Sequence, residues 1–191
     1  MKFSKELVTS FLLLIVIASL YRIMPGRQPG FAPQIAMALF GGAVIKNKKF
    51  AFLLPILSMF LSDALYEVLY LNGVGNISGF YEGQFTNYLL FGLMTVFGFM
   101  ITNLDLKKIV MGSIAAPTLY FLLSNSLVWA SDSPFAGYGR PKTFGGWILT
   151  LQDGIPFYLW SIVATLLFSG VLFGSYFLIR KRALARARQG A

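Results

Sequence analysis

Neither cysteine nor histidine occurs anywhere in the 191 residues. That excludes disulfides, thiol catalysis, Cys or His metal ligands, iron–sulfur clusters and His-ligated haem. Acid is almost as scarce: the seven Asp and Glu residues are scattered, so the only metal chemistry left open is a hard cation on carboxylates, and no metal or cofactor is expected. Charged residues make up 12% of the chain, against about 25% in soluble domains. What fills the space is apolar: 57% of residues are hydrophobic, with 19 Phe and 19 Gly, and the mean hydropathy is +0.70. Glycine is frequent in membrane helices because it lets backbones approach closely.

The apolar residues fall into six stretches, at 7–24, 34–45, 50–71, 86–103, 109–130 and 155–179, separated by short polar loops. A hydrocarbon core about 30 Å thick requires roughly 20 residues per helix. The expected fold is therefore an all-α integral membrane protein, a single bundle of six transmembrane helices followed by a basic tail at 180–191. The second stretch is short, about 18 Å as a helix, and is tilted, extended through Phe31, or re-entrant. The first stretch has a second reading as a signal peptide, with Val16, Ile17 and Ala18 as a passable cleavage site; the apolar run continues beyond it.

Basic residues orient the bundle. With the N-terminus inside, the inner segments carry twelve: Lys2, Lys5, Lys46, Lys48, Lys49, Lys107, Lys108, Arg180, Lys181, Arg182, Arg186 and Arg188. The outer segments carry four: Arg22, Arg27, Arg140 and Lys142. Both ends are expected in the cytoplasm. The net charge of +9 is densest directly after the last apolar stretch, where anionic lipid headgroups and not nucleic acid are its natural partners.

Polar residues gather toward the outer side. Asp63 lies past the middle of the third stretch, about 12 Å from its outer end. An ionised carboxylate there costs at least a few kcal/mol unless it is paired or faces water. It is either a ligand contact or counter-ion of a pocket arginine, or simply a buried partner of Arg22 or a protonated acid bridging helices. If it binds ligand, Asp63→Asn should abolish binding while folding and insertion stay intact. Glu67 follows four residues later on the same face, near the interface, where an acid is tolerated without any function. Asn87 and Tyr88 open the fourth stretch, and Asn125 and Trp129 share a face at the end of the fifth. An amide beside an indole suits the polar edge and flat face of an aromatic ligand, although Trp also serves as an interfacial anchor and Asn as a helix bridge. Arg22, Arg27, Trp147 and Asp153 complete the candidate binding set. Tyr21, Tyr81, Tyr88, Tyr138 and Trp147 can also be read as an aromatic belt.

The outer loops repeat Gly and Pro at 25–26, 29–30, 137–141 and 145–146, which suits either lids or tight connections. The segment 137–143 lacks phosphate-loop spacing and is not one. Small residues four apart, at Ala38 and Gly42, Gly112 and Ala116, and Gly170 and Gly174, allow close helix contact. Packing within the bundle is the default reading, and docking of another membrane subunit the alternative.

Arg22, Pro25, the run Pro29-Gly-Phe-Ala-Pro33, the run Ala36-Met-Ala-Leu-Phe-Gly-Gly-Ala43, Pro55, Leu61-Ser-Asp63 and Ser124-Asn-Ser-Leu-Val-Trp129 resemble a family of uncharacterised bacterial proteins grouped with transporters. In architecture the chain is similar to the substrate-binding (S) components of energy-coupling-factor vitamin transporters. That resemblance implies a multi-pass protein of the bacterial cytoplasmic membrane that captures a vitamin-like small molecule outside. Its partners would be a transmembrane coupling subunit and ATPases. Such proteins often dock through small residues on the first helix; here Thr9, Ser10, Ala18 and Ser19 form no clean motif, and 36–43 on the second is richer. The expected function is small-molecule transport without enzymatic activity. The alternatives are a structural subunit of a larger membrane complex and a membrane enzyme using Asp63 and Glu67 as an acid–base pair.

Overall fold

The computed structural model describes residues 5–131 and 139–189. Among them the chain forms six α-helices: α1 (Lys5–Arg22), α2 (Gln34–Val44), α3 (Lys48–Leu71), α4 (Gln84–Phe99), α5 (Leu106–Ala130) and α6 (Phe144–Gln189). A single 3-10 turn, Thr102–Leu104, joins α4 to α5. Tyr138 and Lys2 lie outside the described residues.

Local chemistry sets several helix ends. Asn47 caps α3 by accepting from the Lys49 amide at 3.1 Å. Asp105 caps α5 by accepting from the amides of Lys107 at 2.7 Å and Lys108 at 3.3 Å. Such caps satisfy donors that the first helical turn leaves free. Thr143 does the same for α6, its Oγ1 accepting from the Gly146 amide at 3.2 Å.

Three helices are long and apolar enough to cross a membrane: Lys48–Leu71, Leu106–Ala130 and Phe144–Arg182. Apolar side chains crowd the outside of the assembly, such as Leu12, Leu13, Ile17 and Leu20 on α1 and Leu167 and Val171 on α6. Small polar residues (Ser19, Ser58, Ser62, Thr95, Ser113, Thr165, Ser169) are buried inside. Apolar outside and small polar inside is the pattern of helices that associate within lipid.

The short second stretch forms an 11-residue helix, about 16 Å long. It starts at Gln34, so Phe31 lies in the preceding loop and the helix is not extended through it. This helix is the centre of the molecule. It packs against α3, α4, α5 and α6, and Gln34, Ile35, Ala36, Met37, Ala38, Leu39, Gly41 and Gly42 are all buried. A helix sheathed by protein does not have to match the thickness of lipid. Its closest neighbour is α4: a Cβ on Gly42 would overlap the carbonyl oxygen of Thr95, and one on Gly98 would overlap that of Leu39. The small residues at 38 and 42 therefore pack internally.

Two sequence expectations are corrected. The segment 144–154, expected as loop because of Gly145, Gly146, Asp153 and Gly154, is the first part of α6. The mostly apolar run 147–151 carries the helix through, and Gly154 leaves room for the Asn125 side chain, which lies where a Cβ would stand. At the other end the basic residues 180–182 continue the same helix. The second concerns packing at Gly170 and Gly174: among the described residues no atom from another part of the fold lies within 4 Å of a Cβ built on either, which leaves the docking alternative for this pair.

Candidate functional site

At the end of the bundle where α1, α3 and α5 finish and α2 and α4 begin, the helices enclose a cavity of about 350 Å³. Arg180 on α6 lies 19 residues beyond the cavity residue Ser161, about 28 Å along the axis, so the cavity and the basic tail occupy opposite ends.

Four residues of the expected set meet in the cavity wall: Arg22, Arg27, Asn87 and Asn125. With them stand Gln34 and Ile35 from the start of α2, Phe91 from α4, Pro117, Tyr120, Phe121 and Ser124 from α5, and Gly154, Phe157, Tyr158 and Ser161 from α6. Phe121 and Tyr158 stack at 4.6 Å with 21° between their planes, each ring covering one face of the other. The Tyr158 hydroxyl is held 2.9 Å from that of Thr118.

Asp63 stands behind this wall, 1% exposed. Its Oδ1 pairs with Nη1 of Arg22, while its Oδ2 accepts from Gln84 Nε2 at 2.6 Å and from the Tyr88 hydroxyl at 2.8 Å. Arg22 also donates to Ser62 Oγ at 2.6 Å, and its guanidinium carbon sits 5.5 Å from the centre of the Tyr66 ring. Tyr66 in turn donates its hydroxyl to the Arg22 carbonyl at 2.7 Å. One carboxylate thus ties the end of α1 to α3 and α4. A buried charge is tolerable when an ion pair and further hydrogen bonds compensate it in this way.

Glu67 has a different task. Its Oε2 accepts from the Gly79 amide at 2.8 Å, the Phe80 amide at 3.2 Å and the Ser78 hydroxyl at 3.1 Å, pinning the 72–83 loop to α3. The loop lies so close that a Cβ on Gly79 would overlap the Asp63 carbonyl oxygen. Asp63 and Glu67 are therefore committed to separate partners.

The 23–33 loop closes another side. Arg27 donates from Nε to the Arg22 carbonyl at 3.0 Å and from Nη1 to those of Gln28 at 3.2 Å and Phe31 at 2.9 Å. Phe31 inserts among Tyr21, Trp160 and Phe168, with ring centres 5.7–6.3 Å away. Gly30, at φ +84°, lies against the Phe157 backbone, where a Cβ would overlap the carbonyl oxygen. Glycine is needed there twice over, for the left-handed backbone and for the approach.

Tyr120 donates to Asn87 Oδ1 at 3.2 Å, and Asn87 Nδ2 donates to the Tyr81 hydroxyl at 2.5 Å. Tyr81 and Asn87 also line a neighbouring groove of about 620 Å³ between the 78–83 segment and the end of α5. They form the partition between groove and cavity. Burial pushes the Tyr81 hydroxyl above the ordinary phenol range, against the opposing effect of the Asn87 bond, so it stays neutral.

The remaining expected residues lie elsewhere. Trp129 donates its indole N–H to the Pro141 carbonyl at 3.0 Å, and Trp147 donates to Ser126 Oγ at 2.9 Å. Asp153 pairs with Arg140 at 2.8 Å on the surface. Sequence reasoning missed Gln34, whose signal was present: it is the lone polar residue opening an apolar run. It also missed Gln84, placed in a polar loop, and the aromatic pair Tyr120 and Phe121. Among the described residues no three acidic side chains gather where they could hold a metal ion.

A family model described as a family of unknown function (DUF6580) matches residues 2–187. The chain belongs to that family. No curated protein and no solved structure matches it.

Proposed function

We propose that this member of a family without an assigned activity is a membrane transport protein, the substrate-binding subunit for a small, vitamin-like molecule. The observation that carries this reading is the cavity at the bundle end remote from the basic tail. Its lining combines polar and aromatic side chains, and its size suits a small ligand, since pockets of this kind run from about 300 to 1,000 Å³. In this reading all six helices form one bundle in the bacterial cytoplasmic membrane, with α2 sheathed by the others. Both ends face the cytoplasm, as the bias of basic residues favours. The cavity then opens outward, as the resemblance of the sequence to S components implies.

The chain has no nucleotide-binding motif, so the proposal assigns energy coupling to a transmembrane subunit with ATPases. It assigns the chain itself no enzymatic step and no cofactor. The open face of α6 at Gly170 and Gly174 offers a surface for close contact with a second membrane protein. The same face favours the second reading, a structural subunit of a larger membrane complex. Gentle purification of the tagged chain from its native membrane separates the two. Stoichiometric recovery of a coupling subunit with ATPases supports the transport reading. Recovery within an assembly lacking any transporter component would replace it with the structural one.

A further inference from the structure

We infer that the cavity selects a small organic anion with a flat body and one N–H or O–H donor. The inference rests on the binding reading above and adds the chemistry of the ligand.

Charge comes first. Among the described residues lining the cavity there is no Asp, Glu or Lys, but there are two arginines. Arg22 is neutralised from behind by Asp63. Arg27 donates to three carbonyl oxygens, which orient a guanidinium without cancelling its charge. The cavity therefore carries a net positive charge. An arginine held in place by neutral acceptors is a preorganised partner for a carboxylate.

The start of α2 adds to this field. Pro33, at its N-cap, makes no side-chain cap, and the next two residues, Gln34 and Ile35, line the cavity. Unfilled amide donors at a helix start favour an anion.

Gln34 supplies an independent observation. It is 1% exposed, it donates from Nε2 to Ser58 Oγ at 3.2 Å, and its Oε1 has no hydrogen-bond partner. A buried acceptor left unmatched is costly. Gln34 lines the cavity although its Oε1 is shut off from it, so a rotation of the amide is the step by which a ligand donor would complete it. The aromatic share of the lining, with Phe91, Tyr120, Phe121 and Tyr158, then favours a planar body.

The test uses three phenols that share a ring and carry an anionic, a neutral or a cationic group opposite the hydroxyl: 4-hydroxybenzoate, 4-hydroxybenzamide and 4-hydroxybenzylamine. Each is measured by equilibrium dialysis against the full chain in phosphatidylcholine nanodiscs. The benzoate should bind about tenfold or more tightly than the amide, as a charge-assisted hydrogen bond allows. Arg27→Gln should bring the two close to equality, Arg27→Lys should keep part of the preference, and Ser161→Trp, which fills the cavity, should remove binding of all three. Equal or tighter binding of the amide or amine, still removed by Ser161→Trp, overturns the anion inference and leaves the binding reading standing. Binding of none of the probes, or binding that Ser161→Trp does not alter, overturns both.

Discussion

Arg22 and Asp63 form an ion pair across α1 and α3 in which only the arginine reaches the cavity. The carboxylate is buried behind it, matched on its other oxygen by Gln84 and Tyr88. This arrangement makes Asp63 a positioning residue for the wall and a joint between three helices.

Removing that charge alone leaves a mostly buried guanidinium without its partner, which typically costs about 3–5 kcal/mol. For a chain of this size that corresponds to a fall of about 6–20 °C in melting temperature. Asp63→Asn is therefore expected to lower thermal stability in detergent as well as to disturb the cavity. A variant that melts with the wild type but binds no ligand would instead place Asp63 in direct contact with the ligand.

The small-residue positions should divide sharply. Gly98→Val drives a side chain into the α2 backbone at the Leu39 carbonyl, and is expected to destabilise by several kcal/mol or prevent folding. Gly170→Ala and Gly174→Ala meet open space and should change stability by less than about 0.5 kcal/mol. Fluorescence-detected size exclusion after a heating series reads both effects.

Glu67 holds three donors of the 78–80 segment on one oxygen. Glu67→Gln keeps the shape but loses the charge, weakening each bond toward its neutral strength. Amide exchange in 78–83 should accelerate about tenfold, while the α3 core around Leu54 and Ser58 stays protected. Unchanged exchange in the loop would mean that Glu67 does not hold it.

The absence of native cysteine makes topology directly readable. Asn76→Cys in the α3–α4 loop should react with a membrane-impermeant maleimide in intact cells, whereas Arg182→Cys should react only after permeabilisation. The opposite pattern would invert the proposed orientation.

Much of this architecture was legible in the chain. Apolar runs bounded by Asn47 and Asp105 mark helices that the structure confirms, and the polar residues cluster toward one end, where Arg22, Arg27, Asn87 and Asn125 meet in the cavity wall. What the sequence hid has one physical origin: in a chain this apolar, both the outer faces and the interior are hydrophobic, so periodicity does not say which face is inside. That is why Gly170 and Gly174 look like Ala38 and Gly42 although only the latter pair meets a neighbouring helix. The start of α6 was hidden for a different reason. Glycines that signal turns locally are tolerated in the helix, and Gly154 makes room there for the side chain of Asn125, a contact between residues 29 positions apart.

The account stands on the cavity being a binding site, and mass spectrometry tests this most directly. Wild-type protein and Ser161→Trp are purified gently in parallel from native membranes, denatured, and their released small molecules compared. The account predicts one compound released in near-equimolar amount from the wild type and missing from the variant. Identical profiles from two equally well-folded proteins would contradict it.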